Sequence, residues 1–363
     1  MKILRLDLLN FRAYEYSQIA FSSGLNIILG DNASGKTTIL EAISMFAVGR
    51  SLRTRLDKEL IRFGHPEAQL RIKIETLNDN YCDMAVKIGS KGKQIAVNGV
   101  RKKHMSEVLG HLYIVSFTPE SLQLIKAGPE ERRRFLNVAM AQCIHGYAEA
   151  LRSYQHILQQ RNHLLRMRQT NSLAIWNEQL SEFGARIIIE RQRFSTEIAA
   201  GARALYESLA ESSDHLSVQY RTQCSGASFA EVKQSMESML ARHLQTDIMR
   251  GYTTVGPHRD DLQILIDDHQ AAKFASQGQV RTAVLALQLS LIDYIEAHNG
   301  ESPVILLDDV LSELDEHRQR QLLKFVDTMQ TIITTTHHSS TGWNSLQSVK
   351  VIRVNHGIIS SEG

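Results

Sequence analysis

Cysteine is scarce in this sequence: there are three in 363 residues, Cys82, Cys143 and Cys224, widely spaced and with no C-x-x-C pair. That pattern excludes a disulfide framework and a cysteine-built zinc site, and it fits a reducing, cytoplasmic setting. Proline is sparse too, with five, and no Pro-rich or Gly/Ser-rich linker interrupts the chain. No run approaches the roughly 18–20 consecutive apolar residues that a membrane-spanning helix needs, so no membrane partner is expected. The opening MKILRLDLLNF carries charges through its apolar positions and does not read as a secretory signal. An excess of one charge is missing as well, because 41 Lys and Arg stand against 39 Asp and Glu. Bulk charge therefore points to no nucleic-acid partner, and any DNA affinity must come from local basic surface.

The chain does have ample material for a core, with 43% apolar residues. Residues 1–10 and 25–29 read as strands; the second, LNIIL, is apolar except for Asn26, as in a strand buried on both faces. Residues 37–48 carry apolar positions at helical spacing. Residues 68–75 and 82–88 alternate strictly, and Asn98-Gly99 marks a tight turn, so an antiparallel meander with one wet face is predicted. A short apolar strand is expected at 113–117.

The middle of the chain changes period. Tyr147, Leu151, Tyr154, Leu158, Arg161 and Leu165 step by four and three, and a second run does so from Leu173 through Trp176, Leu180, Phe183 and Ile187 to Phe194, Ile198 and Leu205. A break at Thr170-Asn171-Ser172 makes this an antiparallel helical hairpin, an arm of about 45 Å at roughly thirty residues per helix, or two helices of an ordinary bundle. A strand near 216–223, a helix over 229–249, a strand at 262–266, a helix over 280–295, and buried strands at 304–307 and 331–335 follow. The fold expected is α/β: one head with a mixed sheet plus the meander, assembled from both ends of the chain with a helical arm inserted. The boundaries are residues 1–118 for the first part of the head, 119–250 for the arm and 251–363 for the second part.

Gly30-Asp31-Asn32-Ala33-Ser34-Gly35-Lys36-Thr37 is a complete GxxxxGK[ST] phosphate loop between an apolar strand and a helix. Glycines let backbone N–H groups wrap around phosphate oxygens, and the following helix points its positive end at the same anion. Lys36 is the expected partner of the β- and γ-phosphates, the Thr37 hydroxyl a ligand of Mg²⁺, and Thr38 a further nucleotide contact. Asp308 and Asp309 end an apolar strand; Asp308 is the expected second Mg²⁺ ligand and Asp309 the group that orients or deprotonates the attacking water. These two motifs alone fit a P-loop kinase or a small GTPase equally well.

Three further elements narrow the choice: Ser276-Gln277-Gly278-Gln279 opening a helix, Ser312-Glu313-Leu314-Asp315 directly after the Asp-bearing strand, and Thr336-His337 closing the next one. In order and spacing they resemble the signature, the D-loop and the switch histidine of ABC-type ATPases. Taken alone, SQGQ is also simply a helix cap. The resemblance extends to the RecF family of SMC-like heads. It runs through Asn10-Phe11-Arg12, GDNASGKT, Phe117-Thr118-Pro119-Glu120 with Gly128-Pro129, and Arg132-Arg133-Arg134-Phe135-Leu136. It continues through Gly256-Pro257-His258-Arg259-Asp260-Asp261-Leu262, SQGQ with Arg281-Thr282, and LLDDVLSELD.

The resemblance implies ATP and Mg²⁺ as cofactors, ATP-dependent homodimerisation, slow ATP hydrolysis and binding to double-stranded, gapped or junction DNA. It implies partnership with RecR, and through it RecO, in loading RecA during DNA repair and replication restart. It also implies that Ser276, Gly278, Gln279 and Asp315 meet the nucleotide of a second copy and that His337 senses the γ-phosphate. An SMC-type structural head and an ABC transporter cassette are the alternatives. Transporters usually carry Glu where Asp309 stands. Glu120 and Gln123 lie in the region of their glutamine loop, with neither assigned to it, and His258-Arg259 reads either as a structural turn or as a nucleotide or DNA contact. Candidate DNA-contacting clusters are Arg50-Arg53-Arg55, Arg101-Lys102-Lys103, Arg132-Arg133-Arg134 and Arg161-Arg166-Arg168.

Overall fold

The structure, a computed structural model, describes residues 1–51, 53–54, 56–77, 80–210, 213–310, 316–336 and 348–362. Its contacts divide the chain into two compact units, Met1–Ser121 with Gln288–Gly363, and Leu122–Leu287. Residues 251–287, read from sequence with the second part of the head, thus fall with the helical residues in this division.

The first unit begins with β1 (Lys2–Phe11), β2 (Tyr14–Ala20), β3 (Leu25–Leu29) and α1 (Lys36–Val48), followed by the meander β4 (Glu67–Thr76), β5 (Asn80–Gly89), β6 (Gly92–Val97) and β7 (Val100–Lys102), then β8 (Ile114–Phe117). Strict alternation does what it should. In β4, Ala68, Leu70, Ile72 and Ile74 point to the core while Gln69, Arg71 and Lys73 face water. The antiparallel sheet runs β2-β1-β4-β5-β6-β7, so the N-terminal hairpin extends the meander. Its dry face packs with Ile39, Ile43 and Phe46 of α1 in one hydrophobic core.

The second unit contains the short α2 (Gln123–Lys126), α3 (Pro129–Cys143), α4 (Tyr147–Arg166), α5 (Leu173–Leu209), β9 (Leu216–Arg221), α6 (Phe229–Arg242), α7 (Leu244–Arg250), β10 (Asp261–Ile266), β11 (His269–Gln270) and α8 (Ala271–Phe274). The helix expected over 229–249 is broken at His243, whose ring meets Thr254 Oγ1 at 3.2 Å. The hairpin is antiparallel, with Tyr147 against Arg191, Tyr154 against Gly184 and Arg161 against Asn177. Its two helices are unequal, 20 and 37 residues rather than about thirty each, because α5 continues along β9 and α6. In α4 Tyr147, Tyr154, Arg161 and Leu165 are buried as expected, while Ala150 and Ile157 are buried in place of Leu151 and Leu158, each one residue earlier. The apolar stripe of α5 is broad, including Gly184, Ala185, Ile187, Ile188 and Ile189, so α5 is a core helix of a packed unit and not half of a bare arm.

Helix α9 (Gln277–Asn299) leads back to the first unit, which ends with β12 (Val304–Asp308), α10 (Glu316–Val326), β13 (Thr331–Thr335), β14 (Val349–Asn355) and β15 (Ile358–Glu362). The second sheet runs β15-β14-β3-β13-β12-β8 and is parallel except for β15. β3, from the first thirty residues, is hydrogen-bonded on both sides by strands from the last forty. Gln330 fastens the two sheets: its amide oxygen accepts from Ile3 N–H at 2.6 Å, and its amide nitrogen donates to the carbonyls of Ile3 (2.8 Å) and Ser22 (2.7 Å).

Candidate nucleotide-binding site

β3 is buried at every position and delivers the phosphate loop to the carboxyl edge of the parallel sheet, between the ends of β13 and β14. Gly30 sits where only hydrogen fits: a Cβ there would lie 2.2 Å from the Val354 carbonyl oxygen and 2.8 Å from Ser34 Oγ. Ala33 (φ 63) and Gly35 (φ 112) occupy left-handed conformations that curl the loop back on itself. The Tyr14 hydroxyl donates to the Gly35 carbonyl at 3.0 Å, and Gly357 N–H to the Ser34 carbonyl at 3.1 Å, so both ends of the chain hold the loop from behind. Asp31, Asn32 and Ala33 are exposed at its crest.

Lys36 folds back across the loop, donating to the Gly30 and Asp31 carbonyls at 2.7 and 2.8 Å. Burial lowers its pKa, opposed by Asp309, Asp308 and Asp31, so an ammonium is held in a partly dry cradle by nearby carboxylates. Ser34 Oγ is buried without a hydrogen-bond partner. Thr38, the third residue of α1, is buried, and its N–H donates to the Gly35 carbonyl.

The second motif arrives on β12. In parallel register Asp308 lies beside Thr334 of β13, and its Oδ1 accepts from the Thr37 hydroxyl at 2.9 Å and the Thr334 hydroxyl at 2.7 Å. Burial raises the Asp308 pKa, against the pull of those two hydrogen bonds. Thr37 and Asp308 offer only hard oxygen donors at the edge of the cradle, a set that fits a Mg²⁺ which keeps most of its waters. Asp309 turns off the strand at φ 52, its N–H donating to Thr334 Oγ1 at 3.0 Å.

A small cavity beside this pair is lined by Thr37, Asp308, Glu41, Arg53, Thr118 and Glu120 among others. Of the two glutamine-loop candidates, Glu120 therefore faces the site, while Gln123 is not among the lining residues. Arg12 is committed within the chain. Its guanidinium is bidentate to the buried Glu41 of α1 (2.9 and 3.1 Å), and Ser51 donates to the same carboxylate.

In the second unit, Ser276 caps α9: its Oγ accepts from Gln279 N–H at 3.2 Å, and Gln279 Oε1 accepts from Ser276 N–H at 2.8 Å. The Gln279 amide also donates to Asp214 at 2.6 Å, so this side chain is committed within the chain. Gln277 and Gly278 are exposed, and a Cβ on Gly278 would meet nothing nearer than Ser276 Oγ at 3.9 Å. Asp315 and His337 lie outside the described residues.

His258 and Arg259 are both engaged within the chain. His258 Nε2 donates to the Thr253 carbonyl at 3.0 Å, which leaves Nδ1 to accept from the Tyr154 hydroxyl at 2.7 Å. Arg259 packs over the Tyr252 ring. In two of the basic clusters some members are committed within the chain. Arg132 is bidentate to Asp261 (2.7 and 3.0 Å), Arg133 donates to the Asp260 carbonyl, and Arg161 is fully buried against Asp247 at 2.8 Å.

Reasoning from sequence missed Thr334, although a threonine run at the carboxyl end of a buried strand is a legible sign of hydroxyls aimed at a site. It also missed Tyr14, Glu41 and Gly357, whose roles depend on contacts across the fold.

The family model for the RecF/RecN/SMC N-terminal domain matches residues 2–360. The chain is 37% identical to a DNA replication and repair protein RecF of Ligilactobacillus salivarius, covering 100% of this chain and 98% of that protein. It is 35% identical to a RecF of Geobacillus thermodenitrificans over 99% and 100%. A solved structure of the recombination mediator protein RecF with ATP, in the RecFOR pathway, superimposes with a TM-score of 0.92 at 31% identity, over 99% of this chain and 97% of that one. An Smc head domain from Pyrococcus furiosus shares the fold, with a TM-score of 0.57 at 16% identity.

Proposed function

The chain belongs to the RecF/RecN/SMC N-terminal domain family, and we propose that it is an ATP-dependent, DNA-binding recombination mediator whose ATP-bound form is a homodimer. The observation that carries this reading is the meeting of Thr37, Asp308 and Thr334 at the mouth of a preformed phosphate loop. In this reading the loop N–H groups and the α1 N-terminus bind the phosphates, and Lys36 turns from the loop carbonyls to the β- and γ-phosphate oxygens. Thr37 and Asp308 would hold Mg²⁺, which supplies charge neutralisation at the β- and γ-phosphates. Asp309 orients the attacking water. Being one methylene shorter than the Glu of transport ATPases, it suits a slow switch.

Ser276, Gly278, Gln279 and Asp315 of one copy complete the phosphate site of the other, and His337 senses the γ-phosphate. This family's ATP-bound relative supports the nucleotide assignment. RecR and RecO as partners, gapped or junction DNA as substrate and RecA loading as outcome follow from the similarity to proteins of the RecFOR pathway.

Light scattering with ATP, ADP or no nucleotide tests the proposal. A dimer is expected only with ATP. Ser276→Arg should bind ATP and stay monomeric, and Lys36→Met should lose nucleotide affinity and dimerisation together. A wild-type protein that stays monomeric with saturating ATP, or a Ser276→Arg variant that dimerises normally, sinks the shared-site reading.

A further inference from the structure

The open face of the antiparallel sheet takes no part in the nucleotide site, yet its side chains are ordered into rows. One row is set by the strand registers Asp7↔Arg71, Arg71↔Ala85, Ala85↔Ala96 and Ala96↔Arg101. Two alanines thus occupy the centre of a wet face, where long polar side chains are the rule, and an arginine stands at each side. Three strand steps of about 4.8 Å put the chains bearing Arg71 and Arg101 about 14 Å apart. The next row adds Lys87 between Gln69 and Gln94. The result is a groove of about 470 Å³ with a methyl floor and cationic walls.

Charge within the groove is one-sided. Arg5, Arg71, Lys87 and Arg101 line it against the single acid Asp7, in a chain whose overall charge is only +2. Asp7 is already paired with Arg5 (2.7 Å), and Lys87 with Glu67 at the edge (2.8 Å). Arg71 and Arg101 are exposed and have no hydrogen-bond or ion-pair partner among the described residues. A face built for solvation alone has no reason to place its two uncommitted guanidiniums on opposite sides of a cleared strip. Planar guanidiniums suit phosphate oxygens, and the alanine floor lets a sugar–phosphate chain approach the sheet. The floor offers no donor or acceptor pattern for reading bases.

We propose that this groove, with Arg71 and Arg101 as its walls, holds the sugar–phosphate backbone of duplex DNA without sequence preference. The proposal rests on the DNA-binding reading above and gives that binding a place on the molecule.

The test is fluorescence anisotropy of the full chain with ATP and a labelled duplex across a salt series, for wild type and the double variant Arg71→Gln/Arg101→Gln. Both changes are on exposed positions, and unaltered ATP binding and thermal midpoint establish that the variant is folded. Removing two phosphate contacts should weaken binding on the order of tenfold and flatten the slope of log K against log salt by about 2. A control, Arg193→Gln/Arg203→Gln on α5, removes the same charge elsewhere and should change neither.

If wild type binds duplex and the double variant binds with the same affinity and slope, the groove assignment falls while DNA binding stands. An equal loss in the control reduces the effect to bulk charge and also overturns the assignment. If the variant keeps duplex affinity but loses a labelled poly-glutamate peptide that wild type binds, the groove belongs to an acidic protein segment. If wild type binds no duplex with ATP, the underlying reading falls and takes the groove with it.

Discussion

Asp308 Oδ1 accepts from two threonine hydroxyls, while Asp309, one residue on, leaves the strand in a left-handed conformation. Adjacent carboxylates are thereby sent to different places, one fixed at the loop and one turned aside. Asn tolerates the left-handed region as well as Asp does, so Asp309→Asn alters charge with little backbone cost. It should slow phosphate release roughly 10²-fold or more and leave an ATP-bound dimer that persists, as read by phosphate assay and light scattering. Hydrolysis at the parent rate would remove Asp309 from its assigned role.

A second residue-scale expectation concerns pH. Burial lowers His258 from 6.5 to about 4, so between those values the unfolded chain holds a proton that the folded chain lacks, and this contribution to stability rises with pH. Burial raises Asp260 from 3.8 to about 6, so there the folded chain holds the extra proton, and this contribution falls as pH rises. The two slopes oppose each other between about 4 and 6. In His258→Gln only the second remains, and the thermal midpoint, followed by helical circular dichroism, should decline across that window, from roughly pH 4.5 to 6; a midpoint that climbs would contradict the assignment. At this scale the phosphate loop and Asp308 were legible because their spacing is local. Arg12 and Tyr14 were not, because nothing near them in sequence announces Glu41 or Gly35.

Among the elements, the hairpin α4–α5 shows what periodicity does and does not reveal. Its antiparallel pairing was readable from two stepped runs and a polar break, but α5 also packs on β9 and α6, the elements that follow it, and the spacing of the two runs does not announce them. Gly184 marks the place where they meet. A Cβ there would stand 2.4 Å from Met236 Sδ on α6 and 3.3 Å from the Tyr154 ring on α4. Gly184→Val should destabilise the helical unit by about 1–3 kcal/mol, seen as a lower denaturation midpoint, whereas Gly→Ala changes on exposed helix positions stabilise. A Gly184→Val variant as stable as wild type would show that the seam is loose. The break at His243 was invisible for a different reason: the apolar pattern of α6 and α7 continues through it, and the interruption is tied to Thr254.

For the whole molecule, the layout of a head drawn from both ends of the chain was readable because the phosphate loop stands near one end and the Asp-bearing strand near the other. What the motifs could not show is that β3 lies between β13 and β14. That interleaving has a consequence for biosynthesis. When β3 leaves the ribosome, neither of the strands that will flank it has been translated. At ordinary elongation rates some 300 codons separate it from β13, roughly 15–60 s of waiting. Throughout that interval a largely apolar strand has both edges open, an invitation to pair wrongly with another nascent chain. A competent phosphate loop is consequently among the last features to form, and a polypeptide released early would carry the complete GDNASGKT motif yet lack the edges that hold it in shape.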